Sequence, residues 1–92
     1  MADAVVLINT ESDKVSQVAQ KIVEIKGVTR VYSVAGDVDL VALVHTAEFD
    51  QLAEVIPGKI AAVEGVATTQ TLMAFRQYSA QEDAAAFDLG MD

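Results

Sequence analysis

Cysteine and tryptophan are missing from this chain, proline occurs once, and aromatic residues make up only 5% of it. Without cysteine there is no disulfide framework, no thiolate nucleophile and no Cys-based zinc site. Basic residues are scarce: Lys and Arg number 6 against 14 Asp and Glu, a formal net charge of −8. A field of that sign repels phosphate backbones and anionic lipid, so neither direct nucleic-acid binding nor membrane docking is expected. No apolar run approaches the roughly 20 residues of a membrane-spanning helix. Met1-Ala2-Asp3 opens no signal peptide, because a basic n-region and a long apolar h-region are both lacking. The expectation is a soluble cytoplasmic protein. The single histidine, His45, among scattered carboxylates assembles no transition-metal site, and no cofactor is expected.

What is there is 92 residues, 52% of them hydrophobic, which excludes disorder. The length fits one domain and is too short for a two-domain enzyme or a regulator with its own DNA-binding module. A domain of this size buries only about 60–65% of its unfolded surface. Much of the apolar content is Ala and Val, so some apolar surface should be buried against another copy of the chain.

Ala4-Val5-Val6-Leu7-Ile8 reads as a buried strand. Asn9 to Asp13 is rich in turn and N-cap residues, and Val15, Val18, Ala19, Ile22 and Val23 then recur at helical spacing until Gly27. Val28–Val34 and Val38–Val44 read as strands around an Ala35-Gly36-Asp37 turn. Thr46-Ala47-Glu48 opens a second helix whose phase runs through Phe49, Leu52, Ala53, Ile56, Ile60 and Val63, kinked at Pro57-Gly58 and closed by Gly65. Val66–Phe75 is a fourth strand. The domain is expected over 1–78, with 79–92 an acidic tail in which 80–87 forms a short helix.

The order is β-α-β-β-α-β, and the chain echoes itself. Lys26-Gly27-Val28-Thr29 matches Glu64-Gly65-Val66-Ala67, and Asn9-Thr10 matches His45-Thr46. Two such halves make an α+β, ferredoxin-like fold: a four-stranded antiparallel sheet with two helices on one face. Strands one and three carry apolar residues on both faces, whereas a sheet with one wet face alternates. Two helices cover one face only. The other is expected to pack on a second subunit's sheet, in the manner of a dimeric α/β barrel, or else under the folded-back tail.

Few residues suggest chemistry. His45 has no catalytic partner nearby in sequence and reads as a surface or capping residue. Gly36-Asp37-Val38-Asp39 is ordinary turn chemistry, yet Gly36 permits a positive φ and close approach of a ligand, and two carboxylates stand ready for an ammonium group. Thr68, Thr69 and Thr71 suit an exposed strand and also supply hydroxyls for a small zwitterion.

With these elements placed, the chain resembles the effector-binding half of the Lrp/AsnC (feast/famine) transcription regulators, the regulation-of-amino-acid-metabolism domain. The resemblance rests on Val31 to Leu40 (a valine-rich strand, a glycine turn and an Asp-aliphatic start), on Phe49 to Gly65 with its Gly-Val turn, and on Thr68-Thr69-Gln70-Thr71. Usual members carry an N-terminal helix-turn-helix domain. Here strand one follows Met1 within a few residues, so a stand-alone effector domain is expected. The resemblance implies a dimer formed through the sheets, rings of octamer or decamer type, and amino acids bound in clefts between dimers. Gly36 matches the family's turn glycine and Asp39 its aspartate. Ala35, Gly36 and Asp37 would line the cleft and Thr68, Thr69 and Thr71 would complete it. Asp37 or Asp39 would meet the ammonium group, while backbone N–H groups near Gly36 and the threonine hydroxyls would hold the carboxylate, since a buried zwitterion needs both ends satisfied.

The functional expectation is a non-catalytic, amino-acid-sensing regulatory oligomer. It would act through protein partners, a full-length regulator of the same family among them. Two alternatives stand beside it: a small monooxygenase-like enzyme using His45 as base, and a structural assembly module without ligand. The ACT-type amino-acid-binding domains share the element order, but their ligand turn usually follows strand one, whereas Gly36 follows strand two.

Overall fold

Ala2–Thr10 forms β1, Val15–Val23 α1, Val28–Ser33 β2, Leu40–Thr46 β3, Phe49–Val55 α2 and Val66–Ala74 β4, with a π-helical segment at Ile56–Ile60. This is a computed structural model, and it describes residues 2–80. Of the acidic tail expected over 79–92, with its short helix at 80–87, residues 81–92 lie outside the described residues. The sheet order is β2-β3-β1-β4, and every adjacent pair is antiparallel. The α+β, ferredoxin-like arrangement is therefore present, with β1 and β3 central and β2 and β4 at the edges.

Central position explains the unbroken apolar runs of β1 and β3. Ala4, Val6 and Ile8 of β1 and Leu40, Ala42 and Val44 of β3 point to the helix layer and are buried. They meet Val18 and Ile22 of α1 and Leu52, Val55, Ile56 and Ile60 of the second helical stretch. The intervening residues, Val5, Leu7, Val41 and Leu43, lie on the opposite face and are only half-buried. Cross-strand register puts Tyr32 beside Val41 and Leu72 beside Val5, and both are 45% exposed. The protomer thus presents an apolar sheet face that its own helices leave open.

Two expectations are corrected. Strand β3 begins at Leu40 rather than Val38, because the Val34 N–H donates to the Asp39 carbonyl at 3.0 Å and closes the turn at Asp39. The α1 N-cap is Lys14, without a side-chain cap, rather than a residue of the Asn9–Asp13 stretch. Asp13 instead takes a positive φ of 64° in the turn before it.

The region around Pro57 shows how one residue reshapes a helix. Proline cannot donate to the Ala53 carbonyl, and the ladder widens so that the Ala61 N–H reaches Ile56 O at 3.0 Å. The expected kink is this π segment, and the chain continues through it. Phe49 and Ala53 leave the expected buried face: Phe49 is 66% exposed and, with Ala53, Pro57 and Met73, lines a groove between α2 and β4. At its start, α2 is held by Gln51 Oε1, which accepts the Glu48 N–H at 2.9 Å. Buried Thr46 donates to Glu48 O at 2.7 Å.

The internal echo is a physical repeat. Gly27 follows α1 and packs toward Val55 of the second helix; Gly65 follows that helix and packs toward Val18 of α1. The Gly27 carbonyl accepts from the His45 N–H at 2.7 Å, and the Gly65 carbonyl from the Glu11 N–H at 2.8 Å. The turns leading into β2 and β4 also match, Val28 donating to Ile25 O at 3.0 Å and Val66 to Val63 O at 3.1 Å. These bonds pair Glu11 with His45, two residues beyond the Asn9-Thr10 echo in letters.

Candidate functional site

The β2–β3 turn carries Ala35, Gly36 and Asp37 on the surface, all three exposed. Gly36 has φ +135°, and a side chain built there would meet nothing within 4 Å, so the turn is open to solvent on that side. Asp39 is half-buried and already engaged. Its Oδ2 accepts the Thr10 N–H at 2.9 Å and lies 3.4 Å from the Thr10 hydroxyl, which donates to it. Its own N–H donates to Ile8 O at 3.0 Å. Asp39 therefore ties the Gly36 turn to the end of β1, and Asp37 is the carboxylate left facing outward. No pattern in the sequence pairs Thr10 with Asp39, since the contact joins residues far apart in the chain.

The threonines divide between two faces. Thr68 pairs with Asn9 in register and accepts the Asn9 Nδ2–H at 3.3 Å on the open face. Thr69 pairs with Ile8 and Thr71 with Val6, so both lie on the helix side, and Thr71 borders the groove beside Phe49. Leu40, Ile8 and Thr69 form one row across β3, β1 and β4. Two strand spacings put Thr69 about 10 Å from Leu40. Thr68 and Thr69 thus lie at the turn's end of the sheet but on opposite faces, and Thr71 lies mid-strand beside the Phe49 groove.

His45 stands at the other end, where its Nδ1 lies 2.6 Å from Asp3 Oδ1 across the β1–β3 pair. The sequence hides this partner because it comes from the neighbouring strand. The two side chains border a groove of about 550 Å³ on the open face with Thr29 and Arg76. Arg30 on β2 donates to the Tyr32 hydroxyl at 3.4 Å, and that hydrogen bond raises its guanidinium above the ordinary arginine value. Among the described residues, no group of three or more His, Asp or Glu is placed to hold a metal ion. No helix among them is long and apolar enough to cross a membrane.

A model of the Lrp/AsnC ligand binding domain family matches residues 3–83. The chain belongs to that family. It is a regulatory ligand-binding domain with the family's β-α-β-β-α-β fold. TTHA0845 from Thermus thermophilus is similar at 42% identity and a TM-score of 0.80, over 86% of this chain and 99% of that one. The hypothetical protein PHS023 from Pyrococcus horikoshii is similar at 28% identity and a TM-score of 0.77, over 85% and 94% of the two chains. The transcriptional regulator NMB0573 from Neisseria meningitidis, solved as a complex with L-Met, shares the fold at 10% identity and a TM-score of 0.75. There the match covers 85% of this chain and 52% of the regulator, so the shared fold spans about half of that protein. A search of curated protein sequences gives no match.

Proposed function

We propose that this Lrp/AsnC domain, residues 1–78, is an amino-acid sensor that works as an oligomer, without chemical turnover, in the cytoplasm. It would regulate transcription or amino-acid metabolism through protein partners, including a full-length regulator of its own family. The observation that carries the reading is the Gly36 turn: exposed, open at Gly36, braced by Asp39 on Thr10, and presenting Asp37 outward. In this reading Asp37 meets the ammonium group of the ligand and backbone N–H groups of Ala35 to Asp37 meet its carboxylate. Asp39 keeps its oxygen on Thr10 and holds the turn in place. Thr68, or Thr69 and Thr71, come from a neighbouring protomer, because within one chain they stand across the sheet.

The apolar open face supports the oligomer. Val5, Leu7, Val41 and Leu43, flanked by Tyr32 and Leu72, match the core-like composition of obligate dimer interfaces. Dimers packed through this face, and rings of octamer or decamer type built from them, would bring turns and edge strands together.

The experiment is a thermal-shift panel over the common amino acids, with light scattering on the same samples. A ligand at 100 times its Kd stabilises by about 2.7 kcal/mol, which moves a domain of this size by several degrees. A selective shift that disappears in Asp37→Ala is expected. A flat panel on a well-formed oligomer refutes sensing and leaves an assembly module. The Asp3–His45 pair favours a catalytic reading, and that reading requires a turnover that His45→Ala abolishes.

A further inference from the structure

We propose that the helix layer carries a second ligand site, on the internal two-fold of the domain, for a nucleoside polyphosphate. The site is a groove of about 500 Å³ between α1 and the π segment, a size within the range of small-molecule pockets. Its floor is made by Ile25 and Val63, the two residues whose carbonyls receive the repeated Val28 and Val66 bonds. Lys21 and Lys59 stand over that floor and have the same sequence spacing as Gly27 and Gly65, so they are repeat mates as well. The internal duplication thus sets two ammonium groups about one apolar floor, and Lys14 adds a third.

The charge distribution identifies the occupant. The whole chain has 6 basic residues and a net charge of −8. Three of its lysines nevertheless gather in this groove, opposed there only by Glu64, and Lys26 joins Lys59 in the adjoining groove. Among the described residues, the single ion pair is Asp3–His45, so none of their carboxylates is paired with Lys14, Lys21 or Lys59. Like charges held together repel, and a bound multivalent anion removes that repulsion. The groove contains lysine and no arginine. Ammonium groups act as point charges suited to phosphate oxygens, whereas planar carboxylate recognition favours the arginine fork. Polyphosphate among the ammonium groups and a nucleoside body against Ile25 and Val63 would satisfy both halves of the groove. This site lies on the helix layer, away from the Gly36 turn, and stands or falls separately from amino-acid sensing.

The probes are ADP, pyrophosphate, adenosine and succinate, titrated by calorimetry into the full chain. ADP is expected to bind, to weaken by at least about ten-fold when NaCl is raised to about 0.5 M, and to bind tighter than pyrophosphate. Lys21→Gln with Lys59→Gln should weaken ADP by at least about ten-fold while Tm and light scattering stay at wild-type values, because both side chains are exposed. Absence of ADP binding up to millimolar concentration overturns the proposal, as does unchanged affinity in the double variant. Pyrophosphate as tight as ADP overturns the role of the floor. Adenosine or succinate as tight as ADP overturns the phosphate assignment.

Discussion

Gly65→Ala should be among the most damaging single-methyl additions available in this domain, at about 2–5 kcal/mol. Two contributions can be worked from the structure. Gly65 has φ +100°, where an L side chain costs about 1–2 kcal/mol. The added Cβ would also stand 2.8 Å from Val18 Cγ2 and 3.2 Å from Lys14 Cβ. Val18 is fully buried and has no room to retreat, and overpacking of that kind costs about 1–3 kcal/mol. Gly36→Ala is the control. Its φ is +135° but a Cβ there meets nothing within 4 Å, so only the backbone cost of about 1–2 kcal/mol remains. The difference between the two variants isolates the helix–turn contact. Urea denaturation at one fixed protein concentration is the assay, because oligomer stability depends on concentration. A double cycle with Val18→Ala supplies the second test: trimming Val18 should make Gly65→Ala less costly, a coupling of about 0.5–3 kcal/mol. Equal losses for Gly65→Ala and Gly36→Ala, or strict additivity with Val18→Ala, would refute the reasoning.

Asp39→Ala should cost about 1–3 kcal/mol in the same denaturation assay, since it strands the half-buried Thr10 N–H that Oδ2 now accepts. Asp37→Ala should leave stability within about 0.5 kcal/mol and remove the amino-acid thermal shift, which separates the bracing carboxylate from the ligand-facing one. Leu43→Asp puts a charge in the middle of the open sheet face and should shift sedimentation velocity to a smaller species without loss of far-UV circular dichroism. Asp3→Asn should change stability by less than about 1 kcal/mol, because the pair with His45 is largely exposed.

Much of the architecture was legible because burial writes itself into spacing. The continuous apolar runs of β1 and β3 signalled strands covered on both faces, and the open face of Val5, Leu7, Val41 and Leu43 is where they were expected to need a second layer. The exposed side of α2 was not legible. A helical wheel through Phe49, Leu52 and Ala53 groups them on one face, whereas the buried face of α2 is centred on Leu52 and Val55 and leaves Phe49 and Ala53 exposed at its side. The candidate turn was legible at Gly36, whose positive φ is the kind of demand glycine meets. The bracing role of Asp39 was not. Asp37 and Asp39 are both aspartates beside a turn, and only the fold brings Thr10 to one of them.

The duplicated halves make a further discrimination possible within a single chain. A residue that recurs in both halves with the same backbone bonds is explained by the fold: Gly27 and Gly65 both let a helix sit close, and Ile25 and Val63 both receive the bond that starts the next strand. The Gly36 turn has no counterpart, because it is the one link between the halves. Its Asp39–Thr10 brace is matched only loosely, by Asp3 lying against the His45 ring at the opposite end of the β1–β3 pair rather than accepting a backbone N–H. Lys21 and Lys59 invert that logic. They repeat, yet they are exposed and, among the described residues, form no ion pair, so packing does not account for them. Their recurrence places matched charge about the axis where the two helical stretches meet. A ligand on that axis would bridge the halves of the domain, and its binding should stiffen the contact between α1 and the π segment that Gly65 and Val18 set. Hydrogen exchange on Ala19, Ile22 and Ala61 amides with and without ADP tests this directly: protection should rise at all three positions, and a rise confined to one helical stretch would contradict a bridging ligand.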